Sequence, residues 1–310
     1  PVVYATGTDL KVSLAPTSPM ATAIIRGQAA ANLAEFTFTN TSNVAAVITN
    51  VTLNRGGVAA DSDLSNVYLY QGAVRLTDSA SVSSGKVTFN QASGLFTVPA
   101  GSSITIAVKA DVDGSVTSSG QIINVSLVGV TSNVPVSAIY PVSGSSMTVA
   151  NVTDLARATS TLSAGTVSAG TITAGSLNQT VWQTSLSLSG RAVWLKSLAL
   201  KVIGSVPTNS LQNLKLYAAG TQVGSAAGVD ANGMVTFDLT SAPFKIDSAR
   251  TLEVRADVVN GSSRSFTASL QNASDLQIVD SNYNVGITVA FSGVQVSGSC
   301  VVNGTTVVSV

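Results

Sequence analysis

Histidine is absent from the 310-residue sequence, which also contains one cysteine, Cys300, and two glutamates, Glu35 and Glu253. Without histidine, neither a Ser-His-Asp triad nor a Cys-His pair can be assembled, and zinc loses one of its usual ligands. A glycosidase needs two carboxylates placed across one sugar, whereas the two glutamates fall in different halves of the chain. The sequence therefore predicts a protein that is not an enzyme and has no organic cofactor.

Charge is also scarce, because Asp, Glu, Lys and Arg supply 10% of the residues, against about 25% in typical domains. Fifteen basic and fifteen acidic residues cancel to a net charge of zero. Nucleic-acid binding requires clustered Lys and Arg that replace counterions along the phosphates, and a membrane-spanning helix requires about 18 or more apolar residues in a row. Neither pattern occurs. We therefore expect no nucleic-acid partner and no membrane span, and the low-charge composition favours an extracellular location.

Short segments in which apolar and polar residues alternate run along the whole chain. Examples are residues 10–14, 66–70 and 86–89. Alternation with a period of two places one face of a strand on a core and the other in solvent. Turn formers separate these segments, such as Asp113-Gly114 and Asn232-Gly233, which suit the positive φ of tight hairpins. The pattern predicts an all-β fold of antiparallel sandwiches.

The sequence repeats itself with an offset near 147 residues. Residues 64–70 (LSNVYLY) recur as residues 211–217 (LQNLKLY), and residues 106–112 (IAVKADV) recur as residues 252–258 (LEVRADV). Further matches keep the same offset and the same order. The repeat predicts two homologous tandem domains.

The repeat divides the chain into three predicted parts. Residues 1–150 and residues 151–298 are each expected to form one immunoglobulin-like β-sandwich. Residues 299–310 then remain as an extra C-terminal strand, which is either the start of a further repeat or a strand donated to another molecule.

The strand pattern of residues 65–70, 87–89 and 96–112 is similar to the immunoglobulin-like repeats of bacterial and archaeal cell-surface proteins, including surface-layer and extracellular filament proteins. The resemblance covers both repeats and contains no catalytic signature. It implies structural or adhesive work outside the cell.

Two short acidic loops leave calcium as a candidate ligand. They contain Asp61 and Asp63 in one loop and Asp111 and Asp113 in the other. Calcium binds clustered carboxylate oxygens, but the spacing does not match an EF-hand. The alternative is that these residues initiate turns by accepting hydrogen bonds from their own backbone.

Aromatic residues supply 5% of the chain, and five of them are candidates for a sugar-binding platform. Tyr68, Tyr70 and Tyr217 lie on matching predicted strands, and Trp182 and Trp194 flank a predicted hairpin. A stacked platform would make the protein an adhesin or a carbohydrate-binding module. The competing interpretation places these rings in the sandwich core, where large aromatic residues commonly pack.

Two further features concern modification and cross-linking. The sequons at Asn260 and Asn303 each precede a glycine and are the candidate glycosylation sites. Cys300 either links two chains in an oxidising environment or serves as a small buried apolar residue.

The C-terminal segment is predicted to be an assembly strand. By the repeat offset, residues 306–310 match residues 10–14 and 158–162, the opening strands of the two repeats. An isolated β-branched strand leaves backbone groups unpaired. Either the parent chain continues into a third sandwich, or the strand completes a sheet of a neighbouring subunit, or it packs on its own second domain. The residues of this assembly strand are Thr306, Val307, Val308 and Val310.

These observations favour a structural subunit of an extracellular assembly, either a surface layer or a filament. Copies would join by self-assembly through head-to-tail contacts, because a heterologous contact that does not close produces an open polymer. The alternative function is an adhesin or a carbohydrate-binding surface module, which depends on the tyrosine and tryptophan positions.

Overall fold

The computed structural model describes residues 9–115, 119–161, 170–292, 297 and 300–303. Within these residues the regular structure is β-strand, apart from single 3₁₀ turns at Asp61–Asp63, Thr208–Ser210 and Ala273–Asp275. The chain divides into two compact units, unit 1 (Pro1–Thr153) and unit 2 (Asp154–Val310). The prediction of an all-β fold of two tandem immunoglobulin-like sandwiches is confirmed. None of the described helices is long and apolar enough to cross a membrane.

Unit 1 consists of two sheets packed around one hydrophobic core. Its strands are β1 (Leu10–Leu14), β2 (Ala23–Ile25), β3 (Ala31–Asn40), β4 (Ala46–Gly56), β5 (Leu64–Gln71), β6 (Val74–Arg75), β7 (Lys86–Asn90), β8 (Phe96–Val98), β9 (Ser103–Val112), β10 (Ile122–Ser132), β11 (Val136–Ser137), β12 (Val142–Ser143) and β13 (Met147–Ala150). One sheet has the order β11-β1-β3-β9-β5-β6, and the other has the order β2-β13-β10-β4-β7, with β8 on β4 and β12 on β10.

Unit 2 has its own core between two sheets. Its strands are β14 (Arg157–Thr161), β15 (Gly170–Thr173), β16 (Ser176–Ser189), β17 (Val193–Gly204), β18 (Leu211–Ala218), β19 (Thr221–Ser225), β20 (Met234–Asp238), β21 (Phe244–Ile246), β22 (Arg250–Val258), β23 (Ser265–Ser269), β24 (Leu276–Asp280), β25 (Gly286–Ile287), β26 (Val289–Ser292) and β27 (Cys300–Asn303). The sheet orders are β19-β18-β22-β16-β14-β26 and β15-β27-β23-β17-β24-β25, with β20 and β21 on β17.

The two units share one strand arrangement. The order β1-β3-β9-β5-β6 of unit 1 corresponds to β14-β16-β22-β18-β19 of unit 2. In the facing sheets, β13 pairs in parallel with β2, and β27 pairs in parallel with β15. The apolar residues expected to face the core are all buried, which confirms the period-two pattern. These residues are Val67, Leu69, Val87, Phe89, Ile106 and Val108, with repeat partners Leu214, Leu216, Val235, Phe237, Leu252 and Val254.

The C-terminal boundary differs from the prediction. Cys300–Asn303 form β27, which pairs with β15 and β23 inside unit 2, so these residues are the closing strand of the second sandwich and not part of an extra strand. The constant offset fails because one connection is longer in unit 2. Ile123 pairs with Met147 in unit 1, and the equivalent pair in unit 2 is Phe266 with Cys300, so the chain between the paired residues is ten residues longer there. The predicted assembly strand at residues 306–310 lies outside the described residues.

Candidate functional site

Asp61 is engaged by an arginine and by a backbone amide. Its Oδ1 lies 2.5 Å from Nη2 of Arg55, and its Oδ2 accepts a hydrogen bond of 3.0 Å from the amide of Gly85. The Arg55 guanidinium, followed by the Gly85 amide, lowers the pKa of Asp61 below its ordinary value of 3.8. The carboxylate therefore ties the loop that holds Asp61 to β4, through Arg55, and to the residue before β7, through Gly85.

The backbones of Asp63 and Asp113 are joined by a hydrogen bond, whereas each carboxylate accepts hydrogen bonds within its own turn. The Asp113 amide donates to the Asp63 carbonyl at 2.9 Å. Asp63 Oδ2 accepts from the Ala60 amide at 2.8 Å, which closes the 3₁₀ turn. Asp113 Oδ1 accepts from the amide and the hydroxyl of Ser115, and these bonds lower the Asp113 pKa. The turn-forming alternative describes both residues.

Asp111 lies on the outer face of β9 and accepts three hydrogen bonds. The donors are the Ala30 amide at 2.8 Å, Nδ2 of Asn66 at 3.0 Å and the Tyr68 hydroxyl at 3.0 Å. In the part of the chain that the structure describes, no three His, Cys, Asp or Glu side chains are grouped closely enough to hold a metal ion. Calcium binding at the four aspartates stays a prediction.

Calcium dependence has a direct test. Because each of the four carboxylates already accepts hydrogen bonds from the protein, the turn-forming alternative predicts equal melting temperatures in excess EDTA and in excess calcium chloride, whereas calcium binding predicts a higher one with calcium. Differential scanning calorimetry on the intact chain measures this. A calcium-dependent rise that disappears in the Asp61→Asn variant would instead locate an ion at this loop.

The cluster at Asp111 is repeated in unit 2 by Asp257. Asp257 accepts from the Asn178 amide at 2.7 Å and from Nδ2 of Asn213 at 2.6 Å. Hydrogen bonding by Asn213, followed by the Asn178 amide, lowers the pKa of Asp257. The backbone donors match as well, since Ala30 has a φ of 49° and Asn178 a φ of 54°. In both units the aspartate thus holds a residue in the left-handed conformation, which an L-residue adopts at an energetic cost.

The repeated aspartates are therefore expected to stabilise each sandwich. Asp257→Ala should lower the free energy of unfolding of unit 2 by about 1–2 kcal/mol, because two donors lose their acceptor. Asp257→Asn keeps an oxygen for the Asn178 amide and should lose less. Urea unfolding of both variants measures the difference. Equal losses for the two substitutions would show that the Asn178 bond does not contribute.

On the outer face of each unit, a cationic side chain lies over a tyrosine ring of the same unit. Lys109 Nζ lies 4.4 Å from the centroid of Tyr70, and the Arg255 guanidinium lies 4.4 Å from the centroid of Tyr217. Arg255 additionally donates to both carboxylate oxygens of Glu253 at 2.8 Å. These bonds, with desolvation acting against them, lower the pKa of Glu253. The repeat thus conserves its internal contacts on the outer face as well as in the core.

The five aromatic candidates do not form an open platform. Trp182 is fully buried in the core of unit 2, which confirms the core interpretation for this residue, and Tyr68 and Tyr70 are also buried. Trp194 and Tyr217 are half-buried. The Lys245 ammonium lies 5.9 Å from the Trp194 ring. A sugar would therefore find two half-buried rings, each with a cation close to it.

Asp280, which is not among the residues predicted from the sequence, has a fully buried carboxylate. It is 0% exposed and accepts from the amides of Ala156 at 2.8 Å, Asn282 at 2.8 Å and Tyr283 at 3.0 Å. The Nε atom of Arg191 lies 3.8 Å from Oδ2 of Asp280. The Asp-Ser-Asn sequence after β24 indicates a local turn, but it does not reveal the contact with Ala156, which is 124 residues distant in sequence.

Acidification is expected to destabilise unit 2 more than unit 1. A carboxylate whose pKa is lowered by folding contributes stability that is complete above its ordinary pKa, and this stability is lost as the pH falls through the folded value. The groups with a lowered pKa are Asp154, Asp247, Glu253 and Asp257 in unit 2, and Asp61 and Asp113 in unit 1.

Calorimetry below pH 5 should therefore show the transition of unit 2 moving to lower temperature faster than that of unit 1. Because these groups are largely exposed, salt should reduce the difference. Identical pH dependence for both transitions would contradict the assignment of these ion pairs and hydrogen bonds.

The candidate modification sites lie in different surroundings. Asn260 is half-buried, and its Oδ1 accepts from the Ser210 hydroxyl. Asn303 is exposed at the end of β27, where it pairs with Thr173, so it lies in a strand and not in a turn. Cys300 is buried and packs in the core of unit 2, and this burial raises the pKa of its thiol. Cys300 thus has the position of a small apolar core residue.

Comparison with known proteins gives no family for the chain. No protein-family model matches it, and no curated protein matches it. Among solved structures, it is similar to the CBD12 region of CALX1.2, at 11% identity over 94% of this chain and 99% of that chain, with a TM-score of 0.25. It is also similar to the seventh ScaB type I cohesin from Pseudobacteroides cellulosolvens, at 16% identity over 47% of this chain and 94% of that chain, with a TM-score of 0.24.

A third similar structure is the C-terminal domain of the AgI/II polypeptide BspA from Streptococcus agalactiae, at 9% identity over 94% of this chain and 99% of that chain. Its TM-score is 0.19.

Proposed function

We propose that the chain is a structural subunit of an extracellular assembly, a surface layer or a filament, in which copies of the chain join head to tail. The observation that carries the proposal is the duplicated sandwich in which the outer-face charges are paired internally. Asp111 and Asp257 brace their own strands, and Lys109 and Arg255 contact tyrosine rings of their own sheets. Polar side chains whose partners lie in the same unit stabilise the fold of that unit, as a structural subunit requires.

The surface properties also support self-association. The net charge of zero removes long-range repulsion between copies, and proteins with little net charge associate readily. Large apolar side chains are exposed, among them Ile139 at 92% and Met20 at 84%. Apolar groups of this kind gain free energy when a neighbouring molecule covers them.

The proposal includes donor-strand addition by the C-terminal residues. Thr306, Val307, Val308 and Val310 supply an uncharged, β-branched segment suited to an added strand, in which backbone hydrogen bonds provide affinity and alternate side chains provide specificity. Each copy would donate this strand to the next, and repetition of such a contact builds an open polymer.

Negative-stain electron microscopy of the purified chain tests the proposal. We expect fibres or ordered lattices. A variant that ends at Asn303 keeps β27 and should lose assembly while both melting transitions remain. Polymers that persist in this variant would exclude the C-terminal strand as donor. Monodisperse particles of the unmodified chain, together with binding to a glycan array, would favour the adhesin or carbohydrate-binding alternative.

A further inference from the structure

Strand β1 of unit 1 is paired along only part of its outer edge. It pairs with β3 over its full length, but with β11 only at Leu10↔Val136 and Lys11↔Ser137. The equivalent strand β14 of unit 2 pairs with β26 at four consecutive positions. The first sandwich therefore lacks two rungs that the second sandwich contains.

The alternation of the backbone decides which groups face this gap. The Leu10 amide donates to the Pro135 carbonyl at 2.8 Å, on the side away from β3. Because successive residues of a strand direct their backbone groups to opposite edges, Val12 and Leu14 also direct theirs to this side. Beyond the last rung, the Val12 carbonyl and the Leu14 amide have no strand partner among the described residues. Such an edge is a template for another strand.

An apolar groove of about 600 Å³ lies beside this edge, bordered by β1 and by residues 137–143. Two of its lining side chains are large, apolar and exposed, Leu14 at 39% and Ile139 at 92%. Lys11 is the charged residue of the lining. The groove thus favours an uncharged strand with apolar side chains.

Strand β26 shows what occupies the equivalent position in unit 2. It runs parallel to β14, with Phe291 opposite Ser160 and Ser292 opposite Thr161. These two positions correspond to Val12 and Ser13 of β1. Large apolar and small residues alternate in β26, from Val289 to Ser292, without a charge. An occupant of the β1 edge should have the same alternation.

We infer that the β1 edge is the acceptor site for residues 306–310 of a second copy of this chain, bound as a strand parallel to β1. Residues 308–310 (Val-Ser-Val) repeat the apolar-small-apolar alternation, and residues 301–310 contain no charge. The inference deepens the proposed function and rests on it, because it names the surface that receives the donated strand.

Two exposed residues of unit 1 provide a matched pair of variants. Ile139→Asp places a charge in the groove, whereas Val58→Asp makes the same kind of change outside the groove lining. Ile139→Asp should raise the concentration needed for assembly at least about tenfold, because a buried charge would be unpaired. Val58→Asp should change it by less than about twofold, since surface substitutions have small effects. Both should keep the melting temperature of unit 1.

Cross-linking locates the contact directly. A mixture of the Ile139→Cys and Val310→Cys variants, oxidised under assembly conditions, should yield a 139–310 disulfide between chains, identified by mass spectrometry. The mixture of Val58→Cys and Val310→Cys is the control and should yield far less. Assembly that is unaffected by Ile139→Asp, with no 139–310 disulfide, would overturn the acceptor site and leave the proposed function standing. A failure of the unmodified chain to assemble would overturn both.

Discussion

Replacing Trp182 with alanine is expected to lower the free energy of unfolding of unit 2 by about 3–5 kcal/mol, the range for truncating a large buried aromatic side chain. Trp182 is fully buried and belongs to the core of unit 2. Removing the indole leaves a cavity that neighbouring strands fill only in part. The core of unit 1 is a separate cluster, so its melting transition is the internal reference in calorimetry.

Trp182→Phe is the matched control. The indole Nε1 is buried without a hydrogen-bond partner among the described residues, so phenylalanine removes an unsatisfied donor while it keeps most of the apolar volume. We expect the Phe variant to lose much less stability than the Ala variant. Equal losses would show that the indole group has a contact other than packing.

Replacing Asp280 with alanine is expected to destabilise unit 2 by about 3–5 kcal/mol, because it leaves one buried and two partly buried amides without their acceptor. The three amides of Ala156, Asn282 and Tyr283 lose their bonds together. Since Ala156 lies directly before β14, the loss should release the first strand of unit 2. Hydrogen exchange of β14 amides, together with urea unfolding, measures both effects.

Two controls separate the buried carboxylate from ordinary charge removal. Asp280→Asn retains the shape and one acceptor oxygen and should fall between the native chain and the alanine variant. Asp247→Ala removes an exposed carboxylate paired with Arg250 and should have little effect, as is usual for surface ion pairs. If Asp280→Ala behaved like Asp247→Ala, the three amide bonds would not be an important source of stability.

The proposed polymer connects these stability experiments to function. A subunit in a filament transmits load through its own sandwiches, so a variant that weakens unit 2 should also weaken the assembled material. Variants at the β1 edge should have the opposite profile, with normal melting and impaired assembly. Comparing Trp182→Ala with Ile139→Asp therefore distinguishes loss of the building block from loss of the contact between copies.

The alternation of residues in β5, β7 and β9 was sufficient to predict the strands and their core faces. Val67, Phe89 and Val108 are buried as expected, because the period of two follows from the geometry of a single strand. The constant repeat offset was less reliable. It placed the end of the second sandwich before Cys300, because it could not detect the longer connection that precedes β27 in unit 2.

The sequence predicts which residues form the candidate sites, but not which groups these residues contact. The sequence predicts calcium at either of two acidic loops, Asp61 with Asp63 or Asp111 with Asp113, but these carboxylates accept hydrogen bonds from Arg55, Ala60, Asn66 and Ser115. Which donors reach a carboxylate depends on strands distant in sequence. The importance of Asp280 was missed for the same reason.

By itself, the sequence determined the all-β class, the duplication and the core-facing side of each strand, because these follow from local alternation, turn residues and self-similarity. Only the tertiary structure decided which residues from distant segments pack against each other. Trp182 pairs with Val254 where Ala34 pairs with Val108, and in unit 1 Gly144 packs so closely on Ala34 that a Cβ at Gly144 would lie 2.7 Å from the alanine Cβ. The open edge of β1 likewise depends on the end of β11, which pairs only with Leu10 and Lys11. Such contacts are set by packing between distant segments, which no local pattern encodes.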